Sequence, residues 1–388
     1  NYIKMLRDMN IDVIITDHHH LKDNKPPVYA NVFINPQQET DDRYKCISGC
    51  ATGFALMREL IKDHPNEYMY MDMMLELVGI STIGDMMDMS NEINRAITIS
   101  GMSALNKSKL GKAFRGAMKY PNEIMSRDIS FTLVPMINSC SRIASSSIGY
   151  TALLPAKLIP RNIHSVVNYN NMDNMIKTSN IGTHNNLGEH QSEEAEIEHI
   201  MSNIEELKNL NTQRKKKQND IMIDAIKQID DACPINIIIL KNGNGINGII
   251  SSQIGNKTNK PTITFIHGVE TCSGSCRAII PSFNVKDCLD WINKTDYSIF
   301  HIKDGTPTYG GHNQAAGMTV NTNKLEDFKK LFIQYMIDNK IEYTPPSLLD
   351  DPNIIDITNI PNLSEELSHI KQLEPFGNNL QPPKLKVK

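Results

Sequence analysis

The sequence predicts an α/β protein of two α/β domains, the first built on a parallel sheet, joined by a long helix. Three observations carry this expectation. A short run rich in Ile and Val, residues 11–16, feeds two segments whose apolar residues recur at spacings of three and four. A second alternation of apolar runs and helical patterns begins after Pro234. Between the two, apolar residues keep a helical spacing across residues 192–230. A chain of 388 residues exceeds one ordinary core, and 40% hydrophobic with 22% charged residues is a globular composition.

Taken in order, residues 2–10 read as a helix. Residues 11–16 are apolar except for Asp12, which suits a parallel strand buried on both faces. Residues 51–61 and 68–80 then read as helices, the pattern of an α/β domain. Asn, Ser and His clusters across residues 161–191 mark a polar, loop-rich insertion. Ser192 with Glu193 and Glu194 resembles a helix cap and acidic first turn. Ile197, Ile200, Ile204 and Leu207, and later Ile223, Ala225, Ile226 and Ile229, continue that helix as a domain connector. Beyond it, residues 235–240, 261–266, 276–280 and 318–320 read as strands, 249–257 and 325–339 as helices, and 241–248 and 310–317 as small-residue loops. The tail after Pro345 is punctuated by proline. The expected domains are therefore residues 1–160, a connector over 161–232, a second domain over 233–343 and a linker with a further module over 344–388.

A net charge of −4 supplies no global basic field to attract a polyanion. The local run from Arg214 to Lys217 is a candidate cluster for binding nucleic acid, or a solvated helix face. No run approaches the roughly 20 apolar residues that span a bilayer, so no membrane partner is expected. Seven scattered cysteines suggest reduced thiols in a cytosol-like compartment. The pairs Cys46/Cys50 and Cys272/Cys276 offer a zinc site as a weaker reading, because zinc pairs usually stand closer.

In open α/β sheets, ligands bind beyond the carboxyl ends of strands, where Asp17, His18 and His19 stand. Carboxylate and imidazole together ligate Mn2+, Mg2+ or Zn2+. The competing readings are an exposed polar loop or a metal-storing histidine cluster. Asp85 follows the small residues of 79–84 and is a second candidate ligand, or an ordinary turn acid.

Asp17-His18-His19, with Pro26-Pro27 and Asn35-Pro36 after it and Asp85 in a loosely kept glycine–aspartate segment, resembles the DHH phosphoesterase superfamily. Asn138 and Arg142 are retained from a further family pattern whose neighbours change at Met136, Ser139 and Cys140. Leu210-Asn211 with Arg214, Gly274-Ser275-Cys276-Arg277 and Gly310-Gly311-His312-Asn313-Gln314-Ala315-Ala316-Gly317 are similar to patterns of its RecJ-type exonucleases. The last string matches the DHH-associated (DHHA1) domain, and Pro375-Phe376-Gly377 resembles the entry to an oligonucleotide-binding (OB-type) barrel.

The resemblance implies a metal-dependent 5′–3′ exonuclease acting on single-stranded DNA and releasing mononucleotides, with single-strand-binding protein or helicase as further partners, in the cytoplasm or another nucleic-acid-containing compartment. It implies that His18 and Asp85 ligate one of two Mn2+ or Mg2+ ions. Asp17, His18, His19 and Asp85 are the implied catalytic residues, and Asn138, Arg142, Ser275, Arg277, Gly310, Gly311 and His312 hold the substrate. Two alternatives stay open: a phosphodiesterase of short oligoribonucleotides or cyclic dinucleotides, and a silent RecJ-like replication scaffold. Because the family's earlier aspartate motifs have no counterpart here, the chain is expected to be a fragment with little activity by itself.

Overall fold

The computed structural model describes residues 2–21, 26–120, 122–153, 192–341, 354–356 and 362–386. The polar segment 161–191 lies outside them. The chain divides into two compact units: residues 1–140, 145–209 and 351–388 in one, and 141–144 and 210–350 in the other.

In the first unit the helix Tyr2–Asp8 precedes strand β1 (Ile14–Thr16), which pairs in parallel with β2 (Val32–Ile34). The strand is shorter than residues 11–16. Side chains take the place of a neighbouring strand: Arg7 donates to the Ile11 carbonyl, and the Val13 amide donates to Asn31. Nor is it buried on both faces, since Ile14 is 58% and Val32 44% exposed.

Helices Gly49–Leu60, Glu67–Gly84, Glu92–Lys107 and Lys109–Met118 follow. Side chains of Ser48, Asn91 and Ser108 cap three of their first turns. The helix Glu67–Gly84 runs past the expected end at residue 80, so the small residues before Asp85 are helical. Their smallness serves packing. A Cβ on Gly79 would stand 2.9 Å from Gly101 Cα of the next helix.

The long helix Glu193–Ile226 buries Ile200, Ile204, Leu207, Asn211, Arg214, Gln218 and Ala225, one stripe at spacings of three and four. Arg214 is thus not part of a solvated face. Its guanidinium donates to Asn211 Oδ1 and to Gln218 Oε1, which makes the middle of the stripe polar.

In the second unit, β3 (Asn236–Leu240), β4 (Thr262–His267) and β5 (Thr271–Arg277) precede a small hairpin, β6 (Ile302–Lys303) and β7 (Thr306–Pro307). Strands β8 (Tyr309–His312) and β9 (Ala315–Asn321) complete a sheet of order β3-β4-β5-β9-β8. Only β3 and β4 pair in parallel; β5, β9 and β8 follow antiparallel. Helices Asn247–Thr258, Val285–Thr295 and Leu325–Asp338 flank the sheet, and Phe265, Phe283, Phe300, Phe328 and Phe332 fill its core.

Two expectations change here. The strand expected at 276–280 lies earlier: β5 ends at Arg277, and residues 278–280 are outside it. Its alternation is carried by buried Cys272, Gly274 and Cys276 against more open Ser273 and Ser275, a pattern too polar to stand out. The spacing of that cysteine pair is therefore strand alternation into the core rather than a zinc motif. The segment 310–317 is not a loop but the β8–β9 hairpin.

Of the tail, β10 (Ile354–Asp356) pairs in parallel with β11 (Lys384–Lys386), and Leu363–Gln372 is a helix. The expected start of a barrel is not seen among the described residues. No helix among them is long and apolar enough to cross a membrane.

Candidate metal and phosphate sites

Strand β1 ends at Thr16, and the next three residues are organised by one carboxylate. Asp17 Oδ1 accepts from the His18 amide at 2.7 Å, the His19 amide at 3.3 Å and His19 Nδ1 at 2.7 Å. Burial pulls the Asp17 carboxyl upward, but the His19 ring and the two amides outweigh it and leave it below the ordinary carboxylate value. Residues after β2 hold the same turn from outside. Asn35 Nδ2 donates to the His19 carbonyl, and Gln37 Nε2 donates to the carbonyls of His18 and Lys45.

His18 points the other way. Its Nδ1 lies 3.2 Å from the Ile47 carbonyl, which can only accept, so Nδ1 carries the proton of the neutral ring. Nε2 then presents a lone pair to Asp85 Oδ2 at 3.5 Å. The approach needs Gly49, where a Cβ would stand 3.3 Å from His18 Cδ2. Two acceptors facing each other repel unless a proton or a cation lies between them. Neighbouring donors on one metal ion, each about 2.1 Å from it, stand about 3.0–3.4 Å apart, so the pair fits Mn2+ or Mg2+. Asp17 is not a third donor, and among the described residues no three His, Cys, Asp or Glu side chains are grouped to hold an ion. His19 stacks edge-on to His18, with ring centroids 4.5 Å apart.

Asp85 caps the C-terminus of the helix Glu67–Gly84. The Met86 amide donates to the Ile83 carbonyl and the Met87 amide to the Thr82 carbonyl, closing a Schellman turn. The left-handed position is filled by Met86, at φ 55°, where glycine is usual. That conformation costs a side-chain-bearing residue about 1–2 kcal/mol. Asp85 and Asn138 also line a cavity of about 390 Å3, otherwise mostly apolar and including Leu77, Ile80, Ile137 and Tyr150.

The second unit gathers the phosphate-type residues. Cross-strand pairing puts Arg277 opposite Ala315 and Ala315 opposite His312, and likewise Ser275, Gly317 and Gly310 in the adjacent row. Paired residues share a face, so Ser275, Arg277 and His312 stand around a floor of Gly310, Gly317 and Ala315. Gly311 falls on the opposite face, where a Cβ would meet the Ala316 side chain at 3.0 Å. A side chain there would crowd the neighbouring strand, so the hairpin packs closely at this glycine.

The helix Asn247–Thr258 begins at this place with no side-chain cap, and a Cβ on Gly248 would stand 3.0 Å from Arg277 Nη2. Arg277 Nη1 donates to Ser275 Oγ at 3.1 Å, and Arg142 Nη1 donates to the Gly245 carbonyl at 2.8 Å. Burial lowers the pKa of Arg142, Arg214 and Arg277. Arg142 lowers the other two further, and no carboxylate is among the charges acting on the three. Guanidinium charge without a carboxylate partner, beside the N-terminus of a helix, is a setting for phosphate.

Gln37, Ile47, Gly49 and Gly248 escape a reading of the sequence. Only the glycines leave a signal there, as small residues beside a motif.

Residues 236–338 match the DHHA1 domain. The chain is 24% identical to the single-stranded-DNA-specific exonuclease RecJ of Salmonella typhimurium, over 90% of the chain and 56% of the relative. It is 25% identical to that of Bacillus subtilis, over 96% and 41%. The chain thus spans about half the length of the curated relatives it matches. Its fold superposes on the crystal structure of RecJ in complex with Mn2+ from Thermus thermophilus with a TM-score of 0.69, at 19% identity, over 98% of this chain and 49% of that one. A structure of exonuclease RecJ bound to manganese gives a TM-score of 0.57 at 19% identity, over 86% and 71%. The resemblance to RecJ-type DHH phosphoesterases is borne out, and so is the two-part α/β fold.

Proposed function

We propose that this chain is the core of a divalent-metal-dependent exonuclease that removes mononucleotides from the 5′ end of single-stranded DNA in DNA repair and recombination. The observation that carries the reading is His18 Nε2 standing 3.5 Å from Asp85 Oδ2 while Nδ1 is held by the Ile47 carbonyl, a spacing on which a cation can close. His18 and Asp85 would hold Mn2+ or Mg2+. Such an ion supplies an acidic bound water and neutralises charge on a phosphodiester. Two side chains hold an ion weakly, so appreciable activity requires further carboxylates, as a dinuclear site does.

The chain's own residues divide the remaining work. Asp17 fixes the His19 ring through Nδ1 and leaves Nε2 to exchange a proton with the scissile phosphate or its leaving oxygen. Arg277, Ser275, His312 and Arg142 grip phosphates over the bare Gly310–Ala315–Gly317 floor. Arg277 with Ser275 reads a terminal 5′-phosphate, whose extra charge and three free oxygens suit a guanidinium fork. Asn138 borders the cavity beside Asp85, which has room for a base.

The test is digestion of long single strands with Mn2+ by the protein in a form that includes those further carboxylates. The expected result is stepwise release of mononucleotides, faster from a 5′-phosphorylated than a 5′-hydroxyl end. Arg277→Lys keeps the charge but loses the fork, and is expected to shrink that preference about tenfold, through KM rather than kcat. Consumption of a five-nucleotide RNA with long DNA left intact would select the small-phosphodiesterase reading instead. Binding without hydrolysis would select the silent scaffold.

A further inference from the structure

Residues 373–380, whose Pro375-Phe376-Gly377 pattern has no part in the proposed chemistry, lie against the turn that carries Asp85. Asn378 grips that turn at two points. Its Nδ2 donates to the Met86 carbonyl at 2.9 Å, and its own carbonyl accepts from the Met89 amide at 2.8 Å. Asn379 donates to the Asp88 carboxylate. Gly377 packs on Met89 so closely that a Cβ would stand 2.6 Å from Met89 Cγ.

The segment is itself pinned to the neighbouring helix. Arg95 Nη1 donates to the Pro375 carbonyl at 3.1 Å, and Nη2 donates to the carbonyls of Leu373 at 2.6 Å and Glu374 at 3.1 Å. Glu374 Oε2 accepts from Ser126 Oγ at 2.6 Å and from the Phe376 amide at 3.0 Å.

A left-handed Met86 persists only where its surroundings hold it. Inside the helix the Schellman bonds do so; outside it, the contact to the Met86 carbonyl comes from Asn378. We propose that residues 373–380 are a strap that sets the direction of the Asp85 carboxylate, with Asn378 and Arg95 as its positioning residues. The proposal rests on the reading of Asp85 as a metal ligand.

The test compares Asn378→Ala, Arg95→Lys and Asp85→Asn in the full chain by two measurements. One is amide hydrogen exchange at Met86, Met87 and Met89. The other is Mn2+ affinity from the loss of the free-ion paramagnetic resonance signal. Asn378→Ala is expected to speed exchange at these amides and weaken Mn2+ binding about tenfold, as loss of an outer-shell partner does. Arg95→Lys keeps the charge but cannot reach three carbonyls, and is expected to act in the same direction to a smaller extent. Unchanged exchange in Asn378→Ala overturns the strap. Faster exchange with wild-type Mn2+ affinity, while Asp85→Asn weakens it, overturns the positioning role and leaves a structural contact. Should Asp85→Asn leave Mn2+ binding intact, the metal reading of Asp85 falls, and the exchange data alone still decide whether the strap holds the turn.

Discussion

Asp85→Asn is expected to lower Mn2+-dependent hydrolysis by more than about a hundredfold without unfolding the chain. The change keeps size and shape but removes the negative charge. It also puts an amide donor where His18 Nε2 offers a lone pair at 3.5 Å, so the two side chains can bond directly and no longer require a cation between them. The urea midpoint is therefore expected to stay level or rise slightly as activity disappears. His18→Ala removes the other donor and is expected to lose activity similarly, with more loss of stability, because the Ile47 carbonyl loses its partner. Full Mn2+-dependent activity in Asp85→Asn would defeat the cation reading of the pair.

The second large effect concerns stability and pH. Glu76, on the helix Glu67–Gly84, has its Oε2 buried without a partner. Burial pushes its carboxyl from 4.5 up to about 7, against a smaller opposing bond from Ser108. The folded chain thus holds this proton more tightly than the unfolded chain does. The associated stability is fully present below about 4.5, falls as pH rises toward 7, and is gone above it. The difference corresponds to about 3 kcal/mol. Glu76→Gln keeps the neutral shape at every pH. It is expected to leave stability near pH 4.5 almost unchanged and to raise it at pH 8 by up to that amount. Urea unfolding of both proteins at the two pH values measures this. Equal pH slopes for wild type and variant would contradict it.

Much of the molecule is legible in its residues, and what is legible shares a cause. The long helix is announced by Ile200, Ile204 and Leu207, because a buried helical face must repeat at three and four. The same stripe hides Arg214, since a guanidinium bonded to Asn211 and Gln218 is buried on terms that a hydropathy pattern does not contain. Strand β5 is obscured for a related reason: its inward residues are two cysteines and a glycine. The Gly310–Gly317 string reads as a loop because glycines usually break strands, whereas here they keep a sheet face bare.

By itself the sequence determined the two α/β alternations and the long helix between them, though not β2, β8 or the helices at 92–118 and 285–295, and the kinds of chemical group at each site. Both follow from local patterning and from side-chain chemistry that travels with the residue. Tertiary structure alone decided which atoms meet: the Ile47 carbonyl on His18 Nδ1, Asp85 on Nε2, Gly248 beside Arg277, and Asn378 on the Met86 turn. Those contacts join segments far apart along the chain. Their geometry depends on how helices and strands pack, down to a missing Cβ, and no local propensity encodes it.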